Sequence, residues 1–194
     1  MREVKGKSMN HVGTKTIETE RLILRRFGYG DINSMIRNWI ADEKTQWDYG
    51  EPYYDTYEKV KQLFDTKYVV SYDNDDYYRW AIIEKNSGEC IGQIAYYLVD
   101  TGNHFAEVEY VIGPNYQGKG YATEATSAVI NYGFEQIDLH KVQICCRVSN
   151  LKSKHVIEKC GLTYEGTLRD YFWRGDHYES KMYFSILRDE WEKK

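Results

Sequence analysis

Cysteine and histidine are scarce in this sequence, with 4 and 5 copies in 194 residues. The cysteines form no C-x-x-C pair and the histidines form no H-E-x-x-H spacing, so we do not expect a metal site. Cys145 and Cys146 are adjacent in an alternating segment, where they would point to opposite faces of a strand. Together with Cys90 and Cys160 they are predicted to be reduced thiols in a cytoplasmic protein.

Long apolar runs are also missing. No run approaches the ~20 residues that a membrane-spanning helix needs, and residues 1–15 are polar and basic without the apolar segment of a secretory signal. We therefore predict no membrane partner, and a flexible N-terminal tail over residues 1–15. The net charge of −4 argues against a general nucleic-acid binder.

No linker, composition shift or internal repeat divides the rest of the chain, so residues 16–194 are predicted to form one domain. Sequence patterns predict strands at 16–27, 77–84, 89–99, 104–112 and 141–149, and two more around Arg174-Gly175-Asp176. Helical stripes predict helices near 31–39, 56–68, 123–134, 151–160 and 187–194, with a tyrosine-rich loop from Trp47 to Tyr54. The fold class is α+β, with a mixed, mostly antiparallel sheet of six to seven strands flanked by helices.

The segment Gln117-Gly118-Lys119-Gly120-Tyr121-Ala122 joins a strand-like run to a helix-like run. A strand, a glycine-bearing loop and a helix start together make an anion site, because free N–H groups and the helix dipole face the ligand. The alternative is a tight turn that binds nothing. A P-loop is excluded because Gly120 stands where Ser or Thr is needed, and a Rossmann fingerprint because Thr123 stands where the third glycine is needed.

The same segment matches the Gln/Arg-x-x-Gly-x-Gly/Ala loop that binds acyl-CoA pyrophosphate in the GNAT acetyltransferase superfamily. Other motifs resemble its RimJ/RimL-like branch, the ribosomal-protein-alanine N-acetyltransferase type, in the same order: Glu20–Arg25, Ala106–Ala125, Asn150–Leu162 and Leu168–Trp191. The resemblance covers roughly residues 16–192. It implies a GNAT fold whose fourth and fifth strands, 104–112 and 141–149, are parallel and splayed apart at their C-terminal ends.

By this resemblance the donor is acetyl-CoA, which leaves as CoA, and no metal takes part. Val111 and Ile112 would pair with the pantetheine arm as if it were another strand, and Asn150 and Ser153 would contact it. From the residues alone, Asn150 is equally well explained as the N-cap of the next helix. The pyrophosphate would be held by backbone amides of Gln117, Gly118, Lys119, Gly120, Tyr121, Ala122 and Thr123.

Acetyl transfer needs a base for the amine, a polarised thioester carbonyl and a proton for the leaving thiolate. Glu107 and Glu109 project from the same face of one strand, and the resemblance places the base of several superfamily members at Glu107. A salt-bridged or solvated glutamate is the alternative for each. The N–H of Val111 or Ile112 is the candidate oxyanion donor. Many members protonate the thiolate with a tyrosine, but Ile157 stands at that position, so Ser153 or water is the predicted replacement.

An acidic chain suits a cationic acceptor. The aromatic walls of the acceptor site are predicted to be Trp47, Tyr49, Tyr53, Tyr171 and Trp173. For each of these residues, packing in the core is the alternative. An α-amino group has a pKa of about 7.7–8.0 and loses its proton more easily than a lysine at about 10.4. We therefore predict a protein N-terminal α-amine as the first acceptor class. A small-molecule amine (polyamine, aminoglycoside or similar antibiotic) is second, and a CoA-binding module without turnover is third. A monomer or a homodimer is expected.

Overall fold

The computed structural model describes residues 9–193, whose strands form one sheet in the order β1-β2-β3-β4-β5-β6-β8-β7. Neighbouring strands are antiparallel except for β5 and β6, which are parallel. The predicted α+β class with a mixed, mostly antiparallel sheet is therefore confirmed. The strands are β1 (Ile17–Glu18), β2 (Leu22–Arg25), β3 (Tyr78–Glu84), β4 (Cys90–Asp100), β5 (Phe105–Ile112), β6 (Lys141–Arg147), β7 (Thr163–Trp173) and β8 (Tyr178–Leu187).

Helices cover both faces of this sheet. Three of them continue as π-helical turns, at Ile36–Ile40 after α1, Phe64–Tyr68 after α3 and Gly133–Ile137 after α4. Short 3₁₀ turns lie at Tyr29–Asp31, Val70–Asp73 and Pro114–Tyr116. The α-helices are α1 (Ile32–Met35), α2 (Glu43–Tyr49), α3 (Tyr57–Leu63), α4 (Tyr121–Tyr132), α5 (Leu151–Lys159) and α6 (Arg188–Trp191).

The predicted first strand, residues 16–27, is divided in the structure. A turn at residues 19–21 separates β1 from β2. Because of this division the sheet has eight strands, whereas six or seven were predicted. Glu124 on α4 stabilises the turn, because its Oε1 accepts hydrogen bonds from Thr19 Oγ1 (2.6 Å) and from the Arg21 backbone N–H (2.8 Å). The turn is thus a docking point for α4.

The predicted tail covers residues 1–15, of which 1–8 lie outside the described residues. Met9 is 9% exposed and belongs to the main core cluster. The Gly13 N–H donates to the Asp75 carbonyl (2.7 Å), and Thr14 Oγ1 donates to the Tyr77 carbonyl (2.8 Å). The predicted boundary at residue 16 therefore falls inside packed structure.

The predicted loop from Trp47 to Tyr54 is wrong at its start, because residues 43–49 form α2. The side chain of Asp42 caps this helix by accepting the Thr45 N–H (2.7 Å), and Gly50 ends it with a left-handed φ of +90°. Both signals are visible in the sequence. As a result Trp47 and Tyr49 lie on a helix.

Each face of the sheet has its own core. Tyr78, Trp80 and Ile82 on β3 belong to the cluster that contains the buried residues of α4 and α5. Ala81 and Ile83, which alternate with Trp80 and Ile82 along the strand, belong to the cluster of α1 and α3. Because burial on both faces follows the two-residue period of a strand, β3 is apolar almost throughout.

The parallel pairing of β5 and β6 is incomplete. It runs from Phe105–Lys141 to Val108–Ile144, although β5 continues to Ile112 and β6 to Arg147. The two strands therefore separate toward their C-terminal ends, as predicted. This opening is the centre of the candidate site.

Candidate active site

The loop after β5 has the backbone of an anion site. Gly118 and Gly120 adopt left-handed φ angles of +75° and +84°, and Gly120 is the N-cap of the 12-residue helix α4 without a side-chain capping bond. The first N–H groups of a helix have no intrahelical acceptor. A Cβ on Gly118 would meet nothing within 4 Å, so its surroundings are open. These features fit a pyrophosphate bound by the amides of residues 117–123.

Arg21 supports this loop from the first strand pair. Its Nη1 donates to the Lys119 carbonyl (2.9 Å), and its Nε donates to Glu124 Oε2 (2.7 Å). The guanidinium also lies over the Tyr121 ring, 4.7 Å from the centroid. Burial raises the pKa of the Glu124 carboxyl, but the hydrogen bonds from Thr19 and Arg21 lower it by a larger amount, so the net shift of the pKa is downward. Sequence reasoning assigned no role to Arg21.

The side chain of Gln117 also helps to shape the loop. Its Nε2 donates to the Ile112 carbonyl (3.0 Å), and its Oε1 accepts from Lys152 Nζ on α5 (3.1 Å). Gln117 thus connects the end of β5 to the helix on the other side of the opening. Lys119 is exposed, with its Nζ 5.3 Å from the Tyr116 ring centroid.

The two walls of the opening come from β5 and α5. Val111 and Ile112 pair with Gln93 and Gly92 of β4 on one edge, and no strand among residues 9–193 pairs with their other edge. Asn150 is the N-cap of α5, accepting the Ser153 N–H at Oδ1 (3.0 Å). The capping role foreseen for Asn150 is therefore present.

The position of the expected acid is apolar. Ile157 is fully buried in the core. One turn earlier, Ser153 Oγ lies 2.8 Å from the hydroxyl of Tyr110. The structure therefore brings Ser153 to the opening together with a tyrosine that sequence reasoning did not single out.

Glu107 is buried, with 3% of its surface exposed. Its Oε2 accepts from Gln143 Nε2 on β6 (2.7 Å), and its Oε1 makes no hydrogen bond within the described residues, lying 3.7 Å from Lys181 Nζ. Burial, and then the Glu107 carboxylate, raise the pKa of Cys145 to about 12 and move the pKa of the Tyr97 phenol in the same direction. Among residues 9–193, one oxygen of Glu107 is thus hydrogen-bonded and the other faces the Lys181 ammonium.

Lys181 is enclosed by aromatic rings. Its Nζ lies 4.5 Å from the ring centroids of both Tyr171 and Tyr183, a cation–π arrangement. Burial lowers the pKa of Lys181, but its contacts with Tyr183 and Glu107 raise it by more. The cation stays charged beside Glu107.

Glu109 lies in a separate network. Its Oε1 accepts from Arg79 Nη2 (2.8 Å). Arg79 is 7% exposed, and its Nη1 also donates to Gln93 Oε1 (2.8 Å). Gln93 Nε2 in turn donates to the Tyr49 hydroxyl (3.0 Å). Glu109 is thus salt-bridged, as the alternative interpretation required, and Arg79 is a buried charge inside an apolar strand that the sequence could have flagged.

The predicted aromatic residues divide into groups. Tyr49 joins the Glu109 network, and Tyr171 lies against Lys181, next to Glu107. Trp47 is 54% exposed and lies under Arg174, 4.6 Å from the guanidinium carbon. Trp173 packs on Tyr178 at the end of the β7–β8 hairpin. Tyr53 is placed elsewhere, near Lys59 on α3.

An ion cluster joins α2 to the other side of the site. Asp48 Oδ1 lies 3.0 Å from Arg147 Nη2 on β6 and 3.5 Å from Arg174 Nη2 in the hairpin turn. Glu179 Oε2 lies 3.3 Å from Arg147 Nε and 3.7 Å from Arg174 Nε. These contacts hold α2 beside the hairpin.

A cavity of about 600 Å³ lies on the same side of the sheet as the carboxylates. Glu109 and Arg79 form part of its wall, and so does Tyr97, whose phenol also lies beside Glu107. Two further carboxylates, Glu51 and Asp76, also line it. A polar cavity next to a strand carboxylate suits an amine.

The architecture and the loop agree with one family. The family model described as "Acetyltransferase (GNAT) domain" matches residues 21–163. This chain belongs to that family. The acetyltransferase is 30% identical over 175 residues to the uncharacterized N-acetyltransferase YnaD of Bacillus subtilis. The alignment covers 90% of this chain and 98% of YnaD. The predicted GNAT family is confirmed, and the enzyme is an N-acetyltransferase. These findings are consistent with the predicted RimJ/RimL-like branch.

Solved structures share the fold of the acetyltransferase. The ribosomal-protein-S5-alanine acetyltransferase of Vibrio fischeri superposes with a TM-score of 0.77 at 22% identity, covering 91% of this chain and 98% of that one. A spermidine N-acetyltransferase of Vibrio cholerae, solved with CoA and spermine, superposes with a TM-score of 0.75 at 24% identity, covering 90% and 99%.

Two absences concern only residues 9–193. Among them no group of three or more His, Cys, Asp or Glu side chains is arranged to hold a metal ion. None of the helices in that part of the chain has the length and apolar character needed to cross a membrane. Cys90, Cys146 and Cys160 are buried, and Cys145 is half-buried.

Proposed function

We propose that this acetyltransferase moves the acetyl group of acetyl-CoA directly to the primary amine of a cationic acceptor. The observation that carries the proposal is Glu107, a buried carboxylate whose Oε1 accepts no hydrogen bond from residues 9–193. It lies on β5 one residue before the pairing of β5 with β6 ends. Acetyl-CoA would lie in the opening, its pyrophosphate on residues 117–123 and its pantetheine along Val111 and Ile112 near Asn150 and Ser153. A cytoplasmic location is part of the proposal.

The first acceptor class is a protein N-terminal α-amine. Glu107 is 3% exposed, and such a buried carboxylate suits a base that acts through water. Such a base suffices for an amine with a pKa of about 7.7–8.0. The exposed rings of Trp47, Tyr171 and Trp173 offer an open surface for the following residues of a peptide. The Vibrio fischeri relative is named for a ribosomal-protein alanine acceptor.

A polyamine is the second acceptor class, and the cavity favours it. Its wall contains the carboxylates of Glu51, Asp76 and Glu109, and a polycation needs several anions spaced along its length. Two of them already pair with Lys67 and Arg79, at 3.6 Å and 2.8 Å. Asp76 is the carboxylate at this wall that forms no ion pair with any other of residues 9–193. The Vibrio cholerae relative is named for spermidine.

A thiol-release assay with acetyl-CoA tests the proposal. The acceptors are peptides with free N-termini, spermidine, spermine and an aminoglycoside. Turnover on peptides supports the first class. Turnover on polyamines, with a KM raised by Asp76→Asn but not by Asp189→Asn on α6, supports the second. Saturable acetyl-CoA binding without thiol release on any acceptor would favour a CoA-binding module, and absence of binding would refute the proposal.

A further inference from the structure

Tyr97 lies at an irregularity of the sheet next to Glu107. On β4 and β5, Tyr96 pairs with Val108 and Leu98 pairs with Glu107, so three residues of β4 face two of β5 and Tyr97 is the extra one. A β-bulge of this kind redirects a side chain, and such bulges are frequent beside active sites. The bulge therefore gives Tyr97 an orientation that regular pairing of the two strands would not give it.

The phenol of Tyr97 connects the cavity of about 600 Å³ to Glu107. Tyr97 lines that cavity and is 46% exposed, whereas Glu107 is 3% exposed. Burial, and then the neighbouring Glu107 carboxylate, raise the pKa of the phenol, so the phenol lies on the face of the sheet that carries Glu107. An amine in the cavity would thus meet the hydroxyl of Tyr97 before it met the carboxylate.

The groups around the two side chains keep the phenol protonated. Cys145 on β6 and Tyr183 on β8 move the pKa of Tyr97 in the same upward direction. Burial raises the pKa of the Cys145 thiol to about 12, so this neighbour is uncharged at neutral pH. Lys181 Nζ supplies a positive charge 3.7 Å from Glu107 Oε1. The phenol is therefore a proton donor beside a carboxylate.

The carboxylate has room for that proton. Gln143 Nε2 donates to Glu107 Oε2 at 2.7 Å, and Oε1 accepts no hydrogen bond from residues 9–193. A hydroxyl can accept a hydrogen bond at its oxygen while it donates its own hydrogen. Tyr97 can thus receive a proton from the cavity and deliver one to Glu107.

We infer that Tyr97 relays the proton of the acceptor amine to Glu107 during acetyl transfer. The inference rests on the proposed function and assigns to a side chain a step that water would otherwise carry out. The amine nitrogen forms a bond to the thioester carbonyl carbon, and its proton goes to the phenol oxygen. The phenol gives its own proton to Glu107 at the same time, so no phenolate forms. The C–S bond breaks and its electron pair leaves with sulfur as the CoA thiolate.

The test combines Tyr97→Phe with Glu107→Gln. Tyr97→Phe keeps the ring in the cavity wall and removes only the hydroxyl. With the acceptor that the wild type uses, thiol release should give a kcat lower by ~10–10²-fold, since water can replace part of the relay. Calorimetry should find the acetyl-CoA Kd unchanged. In the Glu107→Gln background the same substitution should change kcat by less than about twofold, because the end of the relay is already lost.

Tyr57→Phe is the matched control, because Tyr57 is exposed to a similar extent, 42%, and lies on α3. It should leave kcat unchanged. An equal fall in kcat for Tyr97→Phe with and without Glu107 would refute the relay, because the phenol would then act independently of the carboxylate. A higher acceptor KM at unchanged kcat would also refute it and leave Tyr97 as a wall of the cavity. A wild-type protein that releases no thiol with any acceptor would instead refute the proposed function.

Discussion

Lys181 Nζ lies 3.7 Å from Glu107 Oε1, and the two side chains are 6% and 3% exposed. The proposed base is therefore not an isolated carboxylate, because a buried cation on β8 neutralises it. The rings of Tyr171 and Tyr183 hold that cation in place. The surroundings of the Glu107 carboxylate on β5 are thus supplied by three other strands: Gln143 on β6, Tyr171 on β7 and Lys181 on β8.

Removing Lys181 should destabilise the protein. Lys181→Met leaves a buried carboxylate without a counter-charge, which costs about 3–5 kcal/mol of unfolding free energy. Urea denaturation near neutral pH measures the loss. The double variant Lys181→Met/Glu107→Gln should lose less than the sum of the two single variants. Strictly additive losses would show that the two side chains do not interact.

Glu107→Gln should lower kcat by ~10²–10⁴ if Glu107 accepts the proton of the amine. The amide keeps the size of the side chain, so the acetyl-CoA Kd should stay unchanged. Thiol release gives kcat, and calorimetry gives the Kd. The control is Glu58→Gln on the exposed side of α3. Equal kcat values for both variants would remove Glu107 from the reaction.

Gly118→Ala should weaken acetyl-CoA binding. The φ of +75° disfavours a side chain even though the added Cβ would touch nothing, and the left-handed conformation costs a non-glycine residue about 1–2 kcal/mol. A loop that relaxes to avoid this cost redirects its amides, and the Kd should rise by roughly tenfold. Gly30→Ala, also with open space but without a left-handed φ, is the control. Calorimetry that finds the same Kd for both would show that loop geometry does not limit binding.

Protonation of Glu124 at low pH should weaken the contact between α4 and the turn at residues 19–21. The folded-state pKa of Glu124 is lowered, so its contribution to stability is complete above the unfolded value of about 4.3 and is lost as the pH falls through the folded pKa. Glu124→Gln should therefore be less stable than the wild type near neutral pH, and the difference should shrink below about pH 4. Urea midpoints across this range test the prediction. The control is Glu135→Gln at an exposed position, and a constant difference for Glu124→Gln would contradict the linkage.

Local signals were sufficient for most of the fold. Turn residues and caps act over a few positions, so the features that depend on them were predicted. These features are the hairpins around Gly88 and Gly175, the helix capped by Asn150, and the glycine loop. The predicted loop from Trp47 to Tyr54 was wrong at its start, where the Asp42 cap and the left-handed Gly50 delimit α2. The break at residues 19–21 could not be predicted, since Glu124, its anchor, is about a hundred residues away in sequence.

The sequence by itself determined the family, the glycine loop at residues 117–122 and the position of Glu107 on a strand, because each depends on residue types at short, regular spacings. Only the tertiary structure decided the partners of those residues. Lys181 beside Glu107, Arg79 beside Glu109 and Tyr110 beside Ser153 are separated in sequence by 74, 30 and 43 positions. Such pairs form when distant strands and helices are packed into contact, and the spacing of residues along one element contains no information about its neighbours.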